Sequence, residues 1–293
     1  MQRILVLRGG ALGDFLVTLP ALALLRRRWP TAAIELVGNV SAAHLALARG
    51  WLAAVHSQHE RRWAAFYGAD PLPAELRAWL DSFDLVINFW PDPEGELGRR
   101  FPTRPGQRFL QAPALPGRGP AAAHYCAPLA ELGLEPGDYH QPLAPLLPVA
   151  VPAERLIVIH PGSGSPRKNW PRENWLELIR QLPAPVALVL GEAELRSWHG
   201  IELAGVSRLE ARPLEELVTH FSHCRLFLGH DSGVSHLAAA CGAPCVLLFG
   251  PTDPAVWAPP SPRVKVIGPV GDLNSLAVSG VRQAVAAALA DPG

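Results

Sequence analysis

Arg225-Leu226-Phe227-Leu228-Gly229-His230-Asp231-Ser232-Gly233-Val234-Ser235-His236-Leu237-Ala238-Ala239-Ala240-Cys241-Gly242 is the stretch from which the fold can be read. An apolar run ends at Gly229, small and polar residues turn the chain, and a helix-forming segment follows. After Gly242 the run Pro244-Cys245-Val246-Leu247-Leu248-Phe249 is again strand-like. Short, almost wholly apolar strands separated by helical segments are what a parallel sheet covered on both faces requires. Residues 232–252 contain no Asp, Glu, Lys or Arg, a length at which a membrane helix must be considered. Gly233, Gly242, Pro244 and Gly250 interrupt that segment, so it reads as helix, turn and strand.

The alternation recurs on both sides. Strand-like runs lie at 3–8, 32–38, 52–57 and 84–89, and a second set at 155–160, 186–191, 225–229 and 244–249. Helices fit at 14–28, 172–182, 214–223 and 232–241. Between the sets, 140–153 is uncharged and carries Pro142, Pro145, Pro148 and Pro152, a pattern that continues neither a helix nor a central strand. The expected architecture is α/β with two Rossmann-like, doubly wound parallel-sheet domains, 1–150 and 151–293, facing a central cleft where ligands of such folds bind.

Composition narrows the function. With 49% hydrophobic residues, 293 residues suffice for two cores. A formal net charge of zero argues against nucleic acid as a partner, so an anionic ligand has to be met by local basic groups. Cys126, Cys224, Cys241 and Cys245 have the spacing of neither a zinc site nor a disulfide scaffold, and read as buried thiols of a cytosolic protein. The chain opens on a strand-like run with no leader pattern and shows no transmembrane segment, which predicts a cytoplasmic location.

Four motifs fall at strand ends. Gly9-Gly10-Ala11-Leu12-Gly13-Asp14 follows the first strand: glycines permit a tight turn, and Asp14 stands where a helix begins and negative charge is favoured. Asp14 can equally serve as a helix cap. The segment is no dinucleotide fingerprint, because Arg8 occupies the place of the first glycine and 32–38 is followed by Asn39 rather than an acid. His160-Pro161-Gly162-Ser163-Gly164-Ser165-Pro166-Arg167-Lys168-Asn169-Trp170-Pro171 offers N–H groups, hydroxyls and the Lys168 charge to a phosphate, without a Walker pattern; otherwise it is a solvated loop before a helix. In Gly191-Glu192-Ala193-Glu194, Glu194 is the candidate for accepting ribose or sugar hydroxyls, or one of the acids of a helix's first turn. In the fourth motif, Ser232 and Gly233 open a helix N-terminus to an anion, and Asp231 can take a sugar hydroxyl or cap the helix. His236, one turn in, is a ligand contact or a core histidine. Pro251-Thr252-Asp253-Pro254 follows the next strand and would line the same cleft.

In this order, Gly13-Asp14 with Thr18-Leu19-Pro20-Ala21-Leu22, His160-Pro161-Gly162 with Lys168-Asn169-Trp170-Pro171, Asp231-Ser232-Gly233 with His236-Leu237-Ala238-Ala239, and Gly250-Pro251-Thr252-Asp253-Pro254 resemble glycosyltransferase family 9, which contains the lipopolysaccharide heptosyltransferases. His124 and Leu132-Gly133-Leu134 also resemble a family helix. The resemblance implies the glycosyltransferase B fold, with the acceptor on the N-terminal half and the nucleotide sugar on the C-terminal half. It also implies that a last helix, 278–290, packs back on the N-terminal domain. The implied reaction is an inverting, metal-independent transfer, with no cofactor beyond the nucleotide-sugar co-substrate, ADP-heptose. The acceptor would be an anionic glycolipid, a lipopolysaccharide core, at the inner face of the inner membrane.

Carried over by position, Asp14 is the general base, Gly13 belongs to the acceptor site, and Lys168, Ser163, Gly164, Ser165, Ser232 and Gly233 hold the diphosphate. Asp231 and Glu194 would hold sugar or ribose, and His236 would contact the diphosphate. Arg61, Arg62, Arg99 and Arg100, with Arg104 and Arg108, are acceptor-side cations or exposed solubilising groups. Trp63 and Phe66 pack, or help a loop lie on a membrane. Two rival classes share the fold: a sugar-nucleotide epimerase or hydrolase, and a non-catalytic nucleotide-binding module.

Overall fold

The computed structural model describes residues 1–135, 156–268 and 271–290. The chain divides into two compact units, Met1–Tyr139 and His140–Gly293. The expected linker at 140–153, and the domain boundary expected after residue 150, lie outside the described residues.

The first unit runs β1 (Arg3–Arg8), α1 (Leu12–Leu16), α2 (Leu19–Arg28), β2 (Ala33–Gly38), α3 (Val40–Leu47), β3 (Ala54–Ser57), α4 (Ala74–Asp81), β4 (Leu85–Asn88), α5 (Glu96–Arg100), β5 (Arg108–Gln111) and α6 (Ala121–Cys126), with tight helical turns at Arg61–Phe66 and Ala127–Leu132. Its strands lie in the order β3-β2-β1-β4-β5, and every neighbouring pair is parallel. Central β1 is buried on both faces, as its apolar run requires. One of those faces meets Trp63, Phe66, Phe83, Trp90 and Phe101. The helix expected at 14–28 is two helices. Pro20 has no N–H to give Leu16, so the chain tightens at Thr18, whose N–H and Oγ1 both donate to Phe15 O, at 3.0 and 2.6 Å.

The second unit runs β6 (Ile157–His160), α7 (Arg172–Arg180), β7 (Val186–Leu190), α8 (Glu192–Leu195), β8 (Val206–Glu210), α9 (Leu214–His223), β9 (Leu226–His230), α10 (Gly233–Ala240), β10 (Cys245–Leu248), α11 (Pro254–Trp257), β11 (Val264–Ile267) and α12 (Val278–Ala290). The order is β11-β10-β9-β6-β7-β8, all parallel, the arrangement of a dinucleotide-fold sheet whose strand order reverses between β6 and β9. The uncharged segment 232–252 becomes α10, a turn through Gly242 at φ +79°, and β10. Among the described residues, no helix is long and apolar enough to cross a membrane.

Val281, Ala284 and Val285 of α12 belong to the same core as Leu178, Ile179, Val246 and Leu248, so its apolar stripe is buried on α7 and β10 of its own unit. Strands β5, β8 and β11 depart from the sequence reading, which placed no strand there: each lies at a sheet edge and is only partly buried, so none has the apolar run that marks the inner strands.

Gly38 pairs with Arg8 at the end of the β1–β2 ladder, and a Cβ there would overlap the Arg8 carbonyl oxygen. Gly38→Ala should therefore lower the unfolding free energy by about 1–3 kcal/mol in urea titrations. An unchanged midpoint would show that the two strand ends can separate without cost.

Candidate functional site

In an open parallel sheet the crevice forms at the carboxyl ends of the strands where the order reverses. In the first unit that place is the end of β1 beside β4, and the Gly9–Asp14 motif occupies it. Gly10 takes φ +110°, and its N–H is held by Gln58 Oε1 at 2.8 Å. Asp14 is the third residue of α1, with Gly13 just before it. Its Oδ2 accepts the Ala11 N–H at 2.9 Å, and its Oδ1 faces Arg8 Nη2 at 3.2 Å. The capping geometry and the exposure a reactive group needs thus coexist: the side chain remains 37% exposed.

In the second unit the reversal lies between β6 and β9, and three predicted motifs meet there. The loop after β6 folds on itself: Ser163 Oγ lies 2.7 Å from Ser165 O and 2.6 Å from Asn169 Oδ1, and accepts the Ser165 N–H at 3.3 Å. Gly164 at its tip is exposed. His230, at the end of β9, clamps this loop. Its Nε2 accepts the Trp170 N–H at 2.8 Å, so the ring proton must sit on Nδ1, which donates to Gly162 O at 3.2 Å. Only a neutral imidazole makes both bonds, and burial pushes its pKa down to about 3. His160, buried at the end of β6 with Nδ1 3.0 Å from Val189 O, is likewise pushed down by burial. Glu194 is buried, its Oε2 accepting the Gly191 N–H at 3.0 Å. Its carboxylate lies over Gly162, where a Cβ would collide with it.

Asp231 follows His230 and is 9% exposed. Its Oδ2 takes Lys168 Nζ and Thr252 Oγ1, each at 2.7 Å. Ser232 is the N-cap of α10, accepting the Ser235 N–H at 3.2 Å, so Gly233 and Val234 supply helix-terminal N–H groups without an intrahelical acceptor. His236, in the same first turn, is buried. Lys168, Asp231, Ser232, Gly233, His236 and Thr252 therefore share the carboxyl rim of β6, β9 and β10, with Ser163, Ser165 and Glu194 on the adjoining loops.

The arginines are placed differently from one another. The turn Arg61–Phe66 packs against α5, bringing the segments of both pairs together. Arg61 is exposed. Arg62 lies 4.2 Å over the Trp63 ring, pairs with Glu60 at 2.9 Å and donates to His56 Nδ1 at 3.1 Å. Arg99 and Arg100 each donate to a backbone carbonyl, of Glu94 and Asp70, both at 2.7 Å. Arg104 binds the carbonyls of Asp81 and Phe83 and pairs with Asp84, and Arg108 donates to Glu131 O at 3.1 Å. Trp63 and Phe66 are buried in the aromatic core. Among the described residues, no group of three or more His, Cys, Asp or Glu could hold a metal ion.

Sequence reasoning assigned no role to Arg8, Gln58, Tyr125 or His230, and expected of Thr252 only that its loop lines the cleft. Two of these had a signal: a charged residue ending an apolar strand, as in Arg8, and a histidine ending one, as in His230, each need a buried partner.

Two Rossmann-like parallel-sheet units, each with polar motifs at its strand-order reversal, define the glycosyltransferase B fold class. A solved glycosyl transferase family 9 structure from Veillonella parvula superposes with a TM-score of 0.78 at 19% identity, covering 98% of this chain and 97% of that one. The E. coli heptosyltransferase WaaC with ADP gives 0.72 at 21%, covering 98% and 100%. In sequence, lipopolysaccharide heptosyltransferase 1 of Pseudomonas aeruginosa is 26% identical over 284 residues, 86% of this chain and 80% of the relative. The E. coli K12 enzyme of that description is 25% identical over 294 residues, 87% and 90%. The model of glycosyltransferase family 9 (heptosyltransferase) matches residues 129–275, half of the chain, and the protein belongs to that family. It is a glycosyltransferase, as the ordered motifs indicated.

The His230 clamp makes stability depend on pH. The imidazole binds a proton near its ordinary 6.5 when unfolded and only near 3 when folded, so its contribution is complete above about pH 6.5 and is lost as pH falls towards 3. Between about pH 6 and 4, His230→Gln should show an unfolding free energy less steep in pH than the parent's by up to about 1.4 kcal/mol per unit. Equal slopes in urea titrations at several pH values would remove the clamp from the account.

Proposed function

We propose that this family 9 glycosyltransferase moves heptose from ADP-heptose onto a lipopolysaccharide core or a related anionic glycolipid, with inversion and without a metal ion. The observation that carries the reading is the Lys168–Asp231 pair at 2.7 Å beside the capped N-terminus of α10, at the strand-order reversal of the second unit. A nucleoside diphosphate leaving group needs fixed positive partners for its growing charge. Lys168 and the Gly233 and Val234 N–H groups are such partners, with no metal in the scheme. Asp231 and Glu194 are carboxylates placed to accept sugar or ribose hydroxyls.

Asp14 takes the proton of the acceptor hydroxyl as its oxygen attacks the anomeric carbon, and the nucleotide departs from the opposite face, which inverts that centre. Its 37% exposure leaves the carboxylate reachable. Exposed Arg61, with the donors that Arg62, Arg99 and Arg100 do not use internally, suits an acceptor rich in phosphates and acidic sugars. Such an acceptor places the enzyme on the cytoplasmic side, peripheral to the inner membrane.

Asp14→Asn should reduce transfer by about 10²–10⁴-fold while leaving ADP affinity within about threefold of the parent. Lys168→Ala should weaken ADP binding about 10–100-fold by calorimetry. Normal turnover in the first variant, or unchanged affinity in the second, would remove that residue's role. In a thermal-shift panel of ADP-, GDP-, UDP- and dTDP-sugars, ADP-heptose should raise the melting temperature most. Donor consumption that proceeds equally well without a glycolipid acceptor would favour the hydrolase or epimerase reading instead.

A further inference from the structure

We propose that Arg8, locked in place by Tyr125, is the positioning residue that holds the Asp14 carboxylate in its working orientation. The inference rests on the reading of Asp14 as the base. β1 is apolar and buried from Ile4 to Leu7 and then ends in a guanidinium that is itself only 7% exposed. Burial of that kind demands partners. Arg8 Nε donates to the Asp14 carbonyl oxygen at 3.1 Å, and Nη2 donates to Asp14 Oδ1 at 3.2 Å. One side chain thereby fixes both the backbone of α1 and the carboxylate it carries.

The guanidinium is held in turn. It lies 4.5 Å over the Tyr125 ring, and Nη2 also donates to the Tyr125 hydroxyl at 3.0 Å. Tyr125 is wholly buried in α6, and its hydroxyl donates onward to Ala114 O at 3.0 Å. Burial raises the phenol above its ordinary value of 10, so it stays a donor at neutral pH. On the far side of the carboxylate, the Ala11 N–H holds Oδ2 at 2.9 Å. Each oxygen thus has one fixed donor and keeps a lone pair for an incoming hydroxyl. Lysine could not replace this fork, because a point charge on a flexible stem does not bind a carbonyl and a carboxylate in one fixed geometry. Little of Arg8 is left exposed for substrate, so its effect on the reaction runs through Asp14.

The test uses the whole chain, with ADP-heptose and heptose-deficient lipopolysaccharide as probes. Arg8→Ala should lower kcat about 10–100-fold, with both KM values within about threefold of the parent. Arg8→Lys should fall in between, and Tyr125→Phe, which keeps the ring and deletes one oxygen, should lose about 3–10-fold. Added ethylguanidinium should restore part of kcat to Arg8→Ala and none to Arg8→Ala combined with Asp14→Asn, a result that a general loss of structure would not give. Parent kcat in Arg8→Ala, or a loss that appears only in KM and is not rescued, overturns the proposal. If Arg8→Ala does not fold, Tyr125→Phe decides, and parent kcat in that variant overturns it. Full activity in Asp14→Asn would instead defeat the base reading. An inactive Asp14→Asn beside fully active Arg8→Ala and Tyr125→Phe defeats the positioning role alone.

Discussion

A parallel strand buried on both faces can be reached only by crossing over the sheet, and crossovers of one hand wind to one side until the chain starts again from the middle. That constraint shapes both units. In each, the first strand is central and the order reverses beside it, between β1 and β4 and between β6 and β9. Flanking helices cover the faces and leave the carboxyl ends of the central strands open between diverging connections. Glycine turns, short helix N-termini and the polar residues that follow apolar strands collect at those ends because burial elsewhere would strand their hydrogen-bonding groups.

The two rims solve one electrostatic problem in different ways. Charged groups close to a core must find a counter-charge or hydrogen bonds before any ligand arrives. In the first unit Arg8 and Asp14 satisfy each other, with Tyr125 behind them. In the second, Lys168 is held by Asp231, which also takes the Thr252 hydroxyl. Burial keeps His230 neutral, and its two ring nitrogens are occupied by a backbone donor and a backbone acceptor. Asp14 and Lys168 are thus oriented by protein neighbours before any ligand arrives.

Such anchoring separates residues that look alike in sequence. Arg62 is tied to the Trp63 ring, Glu60 and His56, and Arg104 to the carbonyls of Asp81 and Phe83 and to Asp84, whereas Arg61, next to Arg62 in sequence, is exposed. Trp63 and Phe66 beside them belong to the core under β1. A cationic run in a sequence carries no mark of which members have internal partners, since a partner such as Asp70, whose carbonyl binds Arg100, lies in another segment of the chain.

The sequence by itself determined the class of fold and the places of its motifs. Strands buried on both faces must be apolar throughout, and turns at their ends need glycine, serine and aspartate, so the inner strands and the segments around Asp14, Lys168, Glu194 and Asp231 were legible. The edge strands β5, β8 and β11 were not, because a strand with one paired side and partial exposure needs no apolar run. Only the tertiary structure decided that α12 buries its stripe on α7 and β10, that Pro20 divides the first helix, and that Arg8 grips Asp14 while His230 clamps the loop before Trp170. The α12 and His230 contacts join residues far apart in the chain, and Arg8 reaches Asp14 only through the course of the turn between them; local pattern carries no record of distance in space.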